Sequence, residues 1–195
     1  ASLAEWSARG ARLSTLNGHL FHVAAGPVDA PVLLILHGFP SSSADFRHAL
    51  PALSARYRVI VHDHLGFGLS DKPRDYSYSL VEQADAALSL WQQLGITRAH
   101  VLAHDYGTSV ATELVARREL GQLPFDLTSL TLCNGSVHIE LARLRLAQRV
   151  LRHPTWGPVL AKLAGPRFFA RRIRGTLASP GAVDAAEIRL MWDAL

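Results

Sequence analysis

The stretch VLAHDYGTSV, Val101 to Val110, decides the fold, because an apolar strand pattern meets a helix pattern within it. Ala103 and Gly107 flank Asp105 at two residues on either side. A strand that turns sharply into a helix needs small side chains at these positions, since larger ones would collide with neighbouring backbone. The stretch predicts a nucleophile elbow with Asp105 in the place of the serine of the GxSxG pattern. The alternative is that Asp105 only caps the following helix.

Two further segments follow apolar strands that precede this elbow. HGFP, His37 to Pro40, comes directly after the run VLLIL, where such a fold places the loop that supplies a second backbone N–H to an oxyanion. DHLGFGLSDKP, Asp63 to Pro73, follows the next apolar strand, and its Gly66 and Gly68 predict tight turns in a segment with a mainly structural role. The order of the three segments indicates one α/β domain.

Short apolar runs alternate with helical patterns between Ala11 and Gly135, which is typical of a mostly parallel sheet flanked by helices. Six strands are predicted: Ala11 to Leu16, Leu20 to Ala24, Val32 to His37, Arg58 to Asp63, His100 to His104 and Leu127 to Cys133. Asn17 and Gly18 predict a two-residue hairpin turn between the first two strands. Helices are predicted over Ala44 to Ala55, Ser79 to Leu94 and Tyr106 to Leu120, the second with a capping box formed by Ser79 and Glu82.

The rhythm changes after Gly135, where helical patterns interrupted by Pro and Gly continue without another strand. Helices are predicted over Ile139 to Arg152, Pro158 to Leu163 and Ala182 to Leu195. Two domains are therefore predicted: residues 1–135 as the N-terminal part of an α/β core, and residues 136–195 as part of a helical cap. The C-terminal strands of the core are expected to be missing from this chain.

Composition excludes several classes of function. The longest apolar runs are of strand length, well short of the roughly 20 residues of a membrane span, and the start of the chain has no signal-peptide pattern. The net charge of +4 is concentrated between Ile139 and Gly175, where arginines at helical spacing favour a solvated helix face over a nucleic-acid site. With Cys133 as the one cysteine, we expect a cytoplasmic protein without a disulfide.

HGFP, DHLGFGLSDKP and HDYG together resemble the α/β-hydrolase superfamily, in its branch of epoxide hydrolases and haloalkane dehalogenases. Within this branch, Gly18 to Gly135 is most similar to the group of the mesoderm-specific transcript protein and its bacterial relatives. The resemblance implies that Asp105 is a nucleophile that forms a covalent alkyl ester, which water then hydrolyses. It also implies that the backbone N–H groups of Phe39 and Tyr106 form the oxyanion hole, and that neither a metal nor a cofactor takes part.

Departures from the family pattern narrow the expected chemistry. Haloalkane dehalogenases hold halide with an Asn after HG and a Trp after the nucleophile, whereas this chain has Phe39 and Tyr106. An epoxide hydrolase-like activity on a small apolar electrophile is therefore expected. A non-catalytic hydrolase-like binding or scaffold protein is the alternative, and a haloalkane dehalogenase or esterase comes third. His37, Pro40, His104 and Trp156 are candidate pocket residues.

The catalytic histidine and acid that this family requires have no counterpart in the expected places. Asn134 stands where some dehalogenases carry an acid, and His138 and His153 fall in the predicted cap. We therefore expect the histidine and the acid to lie outside this chain, and the chain alone to be inactive. The rest of the fold is expected to come from a further segment, from a second chain, or not at all.

Overall fold

A computed structural model describes residues 2–135, 153, 157, 165–175 and 183–195 of the 195-residue chain. The chain divides into two compact units, one of Ser2–Val137 with Ala194–Leu195, the other of His138–Asp193 with Ala1. The prediction of a core domain and a cap domain, with a boundary after residue 135, stays a prediction. The predicted helices over 139–152 and 158–163 lie outside the described residues.

The larger unit contains a six-stranded sheet in the order β1-β2-β4-β3-β5-β6. Its strands are β1 (Ala11–Thr15), β2 (Gly18–Ala25), β3 (Val32–Leu36), β4 (Arg58–His62), β5 (Arg98–His104) and β6 (Asp126–Cys133). The pairs β1–β2 and β2–β4 are antiparallel, and β3 pairs in parallel with β4 and with β5, which in turn pairs in parallel with β6. All six strands agree with the sequence prediction to within two residues at each end.

The hairpin turn between β1 and β2 lies one residue earlier than predicted. Thr15 pairs with Gly18, so that Leu16 and Asn17 form the turn. Gly18 has a φ of +142° and opens β2, and its carbonyl accepts a bond from the Thr15 hydroxyl at 2.7 Å. The positive φ that the sequence assigned to the turn is used at the first residue of the strand instead.

The helices of the larger unit are α1 (Leu3–Ser7), a 3₁₀ helix (Ser43–His48), α2 (Leu50–Ser54), α3 (Leu80–Gln93) and α4 (Tyr106–Glu119). The single helix predicted over Ala44 to Ala55 is wrong, since a 3₁₀ turn and a short α-helix replace it. Pro51 has no N–H for an i→i−4 bond, which favours a break in the helical ladder near this position.

Helix α3 begins and ends largely as the sequence predicts. The Ser79 hydroxyl accepts from the Glu82 N–H at 3.2 Å, and Gly95 follows the helix with a φ of +70°. The other half of the predicted capping box differs, because the Ser79 N–H donates to the Ser77 hydroxyl at 3.1 Å. The Glu82 carboxylate instead accepts from the hydroxyls of Ser77 and Ser79.

The core lies between the central strands and helices α3 and α4. Leu34, Leu36 and Ile60 of the sheet are fully buried, as are Ala84 and Ala87 of α3. A continuous apolar strand is expected where both faces of a sheet are covered. The sheet therefore presents the carboxyl ends of β3, β4 and β5 at one edge, which positions the loops described below.

The smaller unit contains two described helices, α5 (Pro166–Arg174) and α6 (Ala185–Asp193). Helix α6 is shorter than the predicted Ala182 to Leu195, because Asp184 caps it. The Asp184 carboxylate accepts from the Glu187 N–H at 2.8 Å, and the Glu187 carboxylate accepts from the Asp184 N–H at 3.3 Å. In the described ranges, no helix is long and apolar enough to cross a membrane.

Candidate active site

Asp105 lies at the turn between β5 and α4 with an uncommon backbone conformation, φ 49° and ψ −114°. A positive φ at a residue with a side chain is strained and persists only when surrounding contacts enforce it. Here the Asp105 N–H donates to the Cys133 carbonyl at 3.0 Å, and its own carbonyl accepts from the Thr108 N–H and hydroxyl at 3.0 and 2.6 Å. These bonds on both sides fix the strained residue in place.

Glycines at two positions allow the tight approach around Asp105. A Cβ on Gly107 would lie 2.5 Å from the Leu36 carbonyl oxygen, and a Cβ on Gly38 would lie 2.7 Å from the Cβ of Asp105. Neither distance is compatible with normal packing. Small residues are therefore required two positions after Asp105 and in the loop that faces it, which is the physical basis of the pattern seen in the sequence.

Two backbone N–H groups converge on one oxygen of the Asp105 carboxylate. Oδ1 accepts from the Phe39 N–H at 2.9 Å and from the Tyr106 N–H at 2.6 Å. An ordinary helix cap has an extended backbone and accepts from the second or third residue of the helix. Asp105 instead has a positive φ and accepts from the first helical residue and from the loop after β3. In the described part of the chain, no hydrogen bond to Oδ2 is found.

His37 supports the loop that carries Phe39, and it does not line the cavity described below. Its side chain is fully buried, with Nδ1 2.8 Å from the Gly38 carbonyl and Nε2 accepting from the His64 N–H at 3.1 Å. We assign the neutral tautomer with the proton on Nδ1 from these two bonds. Burial lowers the pKa of His37, which favours this neutral form.

The other candidate pocket residues lie near the elbow in different ways. Pro40 and His104 are half-buried, and His104 Nδ1 would be 3.0 Å from a Cβ on Gly38. Neither residue lines the cavity beside the elbow. Trp156 lies outside the described residues.

A cavity of about 320 Å³ opens beside Phe39 and Tyr106. Its walls are largely aromatic, and the lining residues are Phe39, Gly66, Phe67, Tyr78, Tyr106, Ala194 and Leu195. Sequence reasoning missed Phe67 and Tyr78, because DHLGFGLSDKP was interpreted as a structural segment. The signal was the pair of glycines around Phe67, since positive φ values of 89° at Gly66 and 53° at Gly68 make the compact turn that presents this ring.

The structural role predicted for that segment depends mainly on Asp63, directly after β4. Its buried carboxylate accepts from the Ser43 N–H at 2.6 Å through Oδ1 and from the Leu69 N–H at 2.7 Å through Oδ2. The Asp63 carbonyl also accepts from the Ser70 hydroxyl at 2.6 Å. Asp71 bonds its own loop through its carbonyl, which accepts from the Gly66 N–H at 2.9 Å, and it bonds the hairpin through its carboxylate, which accepts from the His19 N–H at 2.8 Å.

In the described residues, no group of three or more His, Cys, Asp or Glu side chains could hold a metal ion. The groups described at this site are a carboxylate, two N–H donors and a cavity with aromatic walls.

A family model described as "alpha/beta hydrolase fold" matches residues 31–170, which include the loop after β3, the segment after β4 and the elbow. The chain belongs to the α/β-hydrolase fold family. The sheet order, the mostly parallel pairing and the position of Asp105 agree with this assignment, and so does the fold predicted from the sequence.

The curated relatives named next match between 55% and 100% of this chain. LipZ of Mycobacterium tuberculosis, a protein named as a hydrolase, is 47% identical over 195 residues, and the mesoderm-specific transcript protein of Mus musculus is 37% identical over 177 residues. A haloalkane dehalogenase of Bradyrhizobium diazoefficiens is 38% identical over 107 residues. The chain spans 66% of the length of LipZ and 52% of the length of the mouse protein.

Solved structures agree on the fold. Cfl2 from Burkholderia cenocepacia superposes with a TM-score of 0.81 at 21% identity, over 94% of this chain and 64% of that protein. The epoxide hydrolase CorEH gives a TM-score of 0.78 at 21% identity, over 95% of this chain and 67% of that one. The haloalkane dehalogenase DbeA from Bradyrhizobium elkani gives 0.76 at 26% identity, over 94% and 62%.

Proposed function

We propose that this chain is the nucleophile-bearing part of a hydrolase that works through a covalent ester on Asp105, with an epoxide hydrolase-like reaction. The observation that supports this proposal is that the two carboxylate oxygens of Asp105 differ in their hydrogen bonds. Oδ1 is held by the N–H groups of Phe39 and Tyr106, while Oδ2 has no hydrogen bond in the described part of the chain. An oxygen without a donor is the more nucleophilic one.

In the first step, Oδ2 attacks an electrophilic carbon of the substrate. A C–O bond forms, the bond from that carbon to the epoxide oxygen breaks, and the released alkoxide takes a proton from an acid. A carboxylate suits this step because it is already anionic at neutral pH and needs no base. The product is an alkyl ester in which Oδ1 has become the carbonyl oxygen.

In the second step, water attacks the ester carbon of Asp105. Negative charge then develops on Oδ1, which already accepts two backbone N–H groups at 2.9 and 2.6 Å. Fixed donors aimed at a developing oxyanion contribute strongly to catalysis. The proton of the attacking water passes to a base, and collapse of the tetrahedral intermediate releases the diol and restores the carboxylate. The histidine base is expected outside this chain.

The cavity favours a small apolar substrate. Four aromatic side chains line it, and the ring centroids of two of them, Phe67 and Tyr106, lie 5.5 Å apart. Halide would find neither of the usual Asn and Trp donors at Phe39 and Tyr106. An epoxide is therefore the first choice, although similarity to named haloalkane dehalogenases keeps a halide leaving group as a further candidate.

A non-catalytic binding protein remains the second candidate. The observation that favours it is the state of His37, which is the buried histidine of the loop after β3 and has both ring nitrogens bonded to backbone. A histidine held in this way cannot activate water. Under this second proposal the cavity would bind an apolar molecule without turning it over.

Covalent trapping separates the two proposals. We expect the chain, incubated with styrene oxide, to gain one adduct by intact mass, and peptide mapping to locate it at Asp105. Asp105→Asn should show no adduct at this site, whereas Asp71→Asn, a surface carboxylate, should react as the parent chain does. A folded chain that gains no adduct at Asp105 would support the binding protein.

An esterase mechanism is tested by Asp105→Ser in a version extended to the length of the relatives. Serine on this elbow would suit an ordinary ester, but with an epoxide it would leave an ether that water does not readily cleave. We expect Asp105→Ser to lose epoxide hydrolysis. If the parent does not hydrolyse epoxides, and Asp105→Ser hydrolyses esters as fast as the parent or faster, the protein is an esterase.

A further inference from the structure

A second concave site lies within the smaller unit, between helices α5 and α6. The two helices are joined by Phe169 and Trp192, whose ring centroids lie 5.6 Å apart, and Ile188 is buried at the same contact. Beside this contact the helices enclose a groove of about 200 Å³. The residues that line this groove are different from those that line the cavity beside Asp105.

One face of each helix forms the groove. The spacing of its residues, which recur at three, four and seven positions, is that of a single face of an α-helix. The lining residues are Pro166, Arg167, Ala170 and Arg174 of α5, and Ala185, Ile188, Arg189 and Trp192 of α6. The groove therefore depends on the pairing of two complete helical faces and not on a loop.

The groove combines an apolar floor with a cationic rim. Ala170, Ile188 and Trp192 supply the floor, and three arginines supply the rim. Arg167 and Arg174 are seven residues apart on α5, which places them about 10 Å apart along the helix axis. Helix α5 itself contains no acidic residue.

Arg189 and Arg167 differ in how their charge is already engaged. The Arg189 Nε lies 2.8 and 2.9 Å from the two carboxylate oxygens of Asp193, so this guanidinium is paired within α6. Arg167 is exposed at the first turn of α5. Guanidinium groups bind carboxylates through two parallel hydrogen bonds. An anion that enters the groove would therefore pair more readily with Arg167 than with Arg189.

We propose that this groove binds a free amphiphilic carboxylate, with its tail on Ala170, Ile188 and Trp192 and its carboxylate on Arg167. The two features of the site select for the two parts of such a ligand, since the floor favours a hydrocarbon tail and the rim favours one negative charge. A concave groove with a half-buried Trp192 fits a single molecule in solution better than a bilayer surface, which binds convex, protruding apolar side chains.

Binding of decanoate, below the concentration at which it forms micelles, tests the proposal by isothermal titration calorimetry on the whole chain. Arg167→Glu should weaken binding about tenfold, because it reverses the charge that pairs with the carboxylate. Arg171→Glu is the matched control, since it makes the same change on the same helix outside the groove. It should alter binding by less than about twofold.

The apolar part is tested by Ala170→Phe, which fills the floor of the groove and should abolish decanoate binding while far-UV circular dichroism stays that of the parent. Decanol, which keeps the tail and lacks the charge, should bind about tenfold more weakly than decanoate. Equal binding of the alcohol, or equal weakening by both charge reversals, would overturn the proposal. So would binding to anionic phospholipid vesicles without any binding of monomeric decanoate.

Discussion

Asp63 and Asp105 occupy the same kind of position in the sheet but differ in burial and in hydrogen bonding. Each follows the end of a parallel strand, β4 for Asp63 and β5 for Asp105. Asp63 is fully buried, and each of its carboxylate oxygens accepts a separate backbone N–H. Asp105 is half-buried, and one of its oxygens accepts both of its N–H donors.

The distribution of donors, more than the position at a strand end, therefore determines whether a carboxylate oxygen is left without a hydrogen bond among the described residues. Two oxygens that are both bonded make a structural anchor, because neither can approach a substrate. Under the proposed function, two donors on one oxygen leave the second oxygen available to attack a substrate, and the same donors stabilise the charge that then develops on the first oxygen. The strained backbone at Asp105, φ 49°, is the conformational cost of this arrangement.

Lowering the pH should produce the largest change in the free energy of unfolding. The groups responsible are buried histidines of the same region as Asp63. Burial lowers the pKa of His62 to about 3, and it also lowers the pKa of His37 and of His64. The unfolded chain binds these protons below about pH 6.5, whereas the folded chain takes them up only at lower pH. The free energy of unfolding should therefore fall between pH 6.5 and 3 by about 1.4 kcal/mol per pH unit through His62, and His37 and His64 should steepen the fall in the same direction.

Urea unfolding at a series of pH values measures this slope. His62→Leu should reduce the slope by the share of one histidine, and the difference between the two proteins at pH 8 reports packing alone. A slope that is unchanged in His62→Leu would mean that His62 is protonated in the folded protein. The measurement is confined to pH 4.5 and above, so that aspartates contribute little.

Asp63→Ala should produce the next largest effect. It removes the acceptors of the Ser43 and Leu69 N–H groups and leaves two backbone donors unpaired next to the core. We expect the free energy of unfolding to fall by about 3 to 5 kcal/mol. Asp105→Ala, at the more accessible position, should change it by about 1 kcal/mol or less. Equal losses at the two positions would contradict the distinction between Asp63 as a structural anchor and Asp105 as the proposed nucleophile.

Much of the fold could be predicted because it depends on patterns of residues that are close together in the sequence. Continuous apolar runs marked β3 and β4, and Ser79 and Gly95 marked the ends of α3. The elbow was predictable for the same reason, since Gly107 stands within two residues of Asp105. Each of these signals depends on residues that are neighbours in the chain.

The remainder depends on contacts between distant residues, which composition and spacing do not encode. His37 was predicted to line a pocket, but its ring bonds to a backbone N–H 27 residues away. Phe67 was not identified as a cavity residue, because its position follows from the turn between two glycines with positive φ. Pro51 broke a helix whose apolar pattern continued through it, since periodicity does not report a missing N–H.

Gly107→Ala tests the clearance at the elbow. A Cβ at this position would meet the Leu36 carbonyl oxygen at 2.5 Å, and backbone cannot give way as a side chain can. We expect a loss of about 2 kcal/mol in the free energy of unfolding, together with a slower formation of the Asp105 adduct. Thermal or urea unfolding and the trapping assay measure the two effects.

Gly121→Ala is the control for this prediction. Gly121 has a φ of +69°, but a Cβ at this position would meet nothing within 4 Å, so only the backbone conformation opposes alanine. The cost should be about 1 kcal/mol, without an effect on the adduct. Slower adduct formation in both variants would show that stability and not the clearance at the elbow limits the reaction.

The smallest predicted effect is the difference in the free energy of unfolding between the glycine and the alanine variant at each aspartate. This difference should have opposite signs at Asp105 and at Asp63. At Asp105 both substitutions remove the carboxylate, but glycine accepts a positive φ without strain, so Asp105→Gly should be more stable than Asp105→Ala by about 1 kcal/mol. Asp63 does not have a positive φ, so there Asp63→Gly should be less stable than Asp63→Ala by a similar amount. Urea unfolding of the four variants measures both differences, and the same sign at the two positions would mean that the backbone at Asp105 is not under strain.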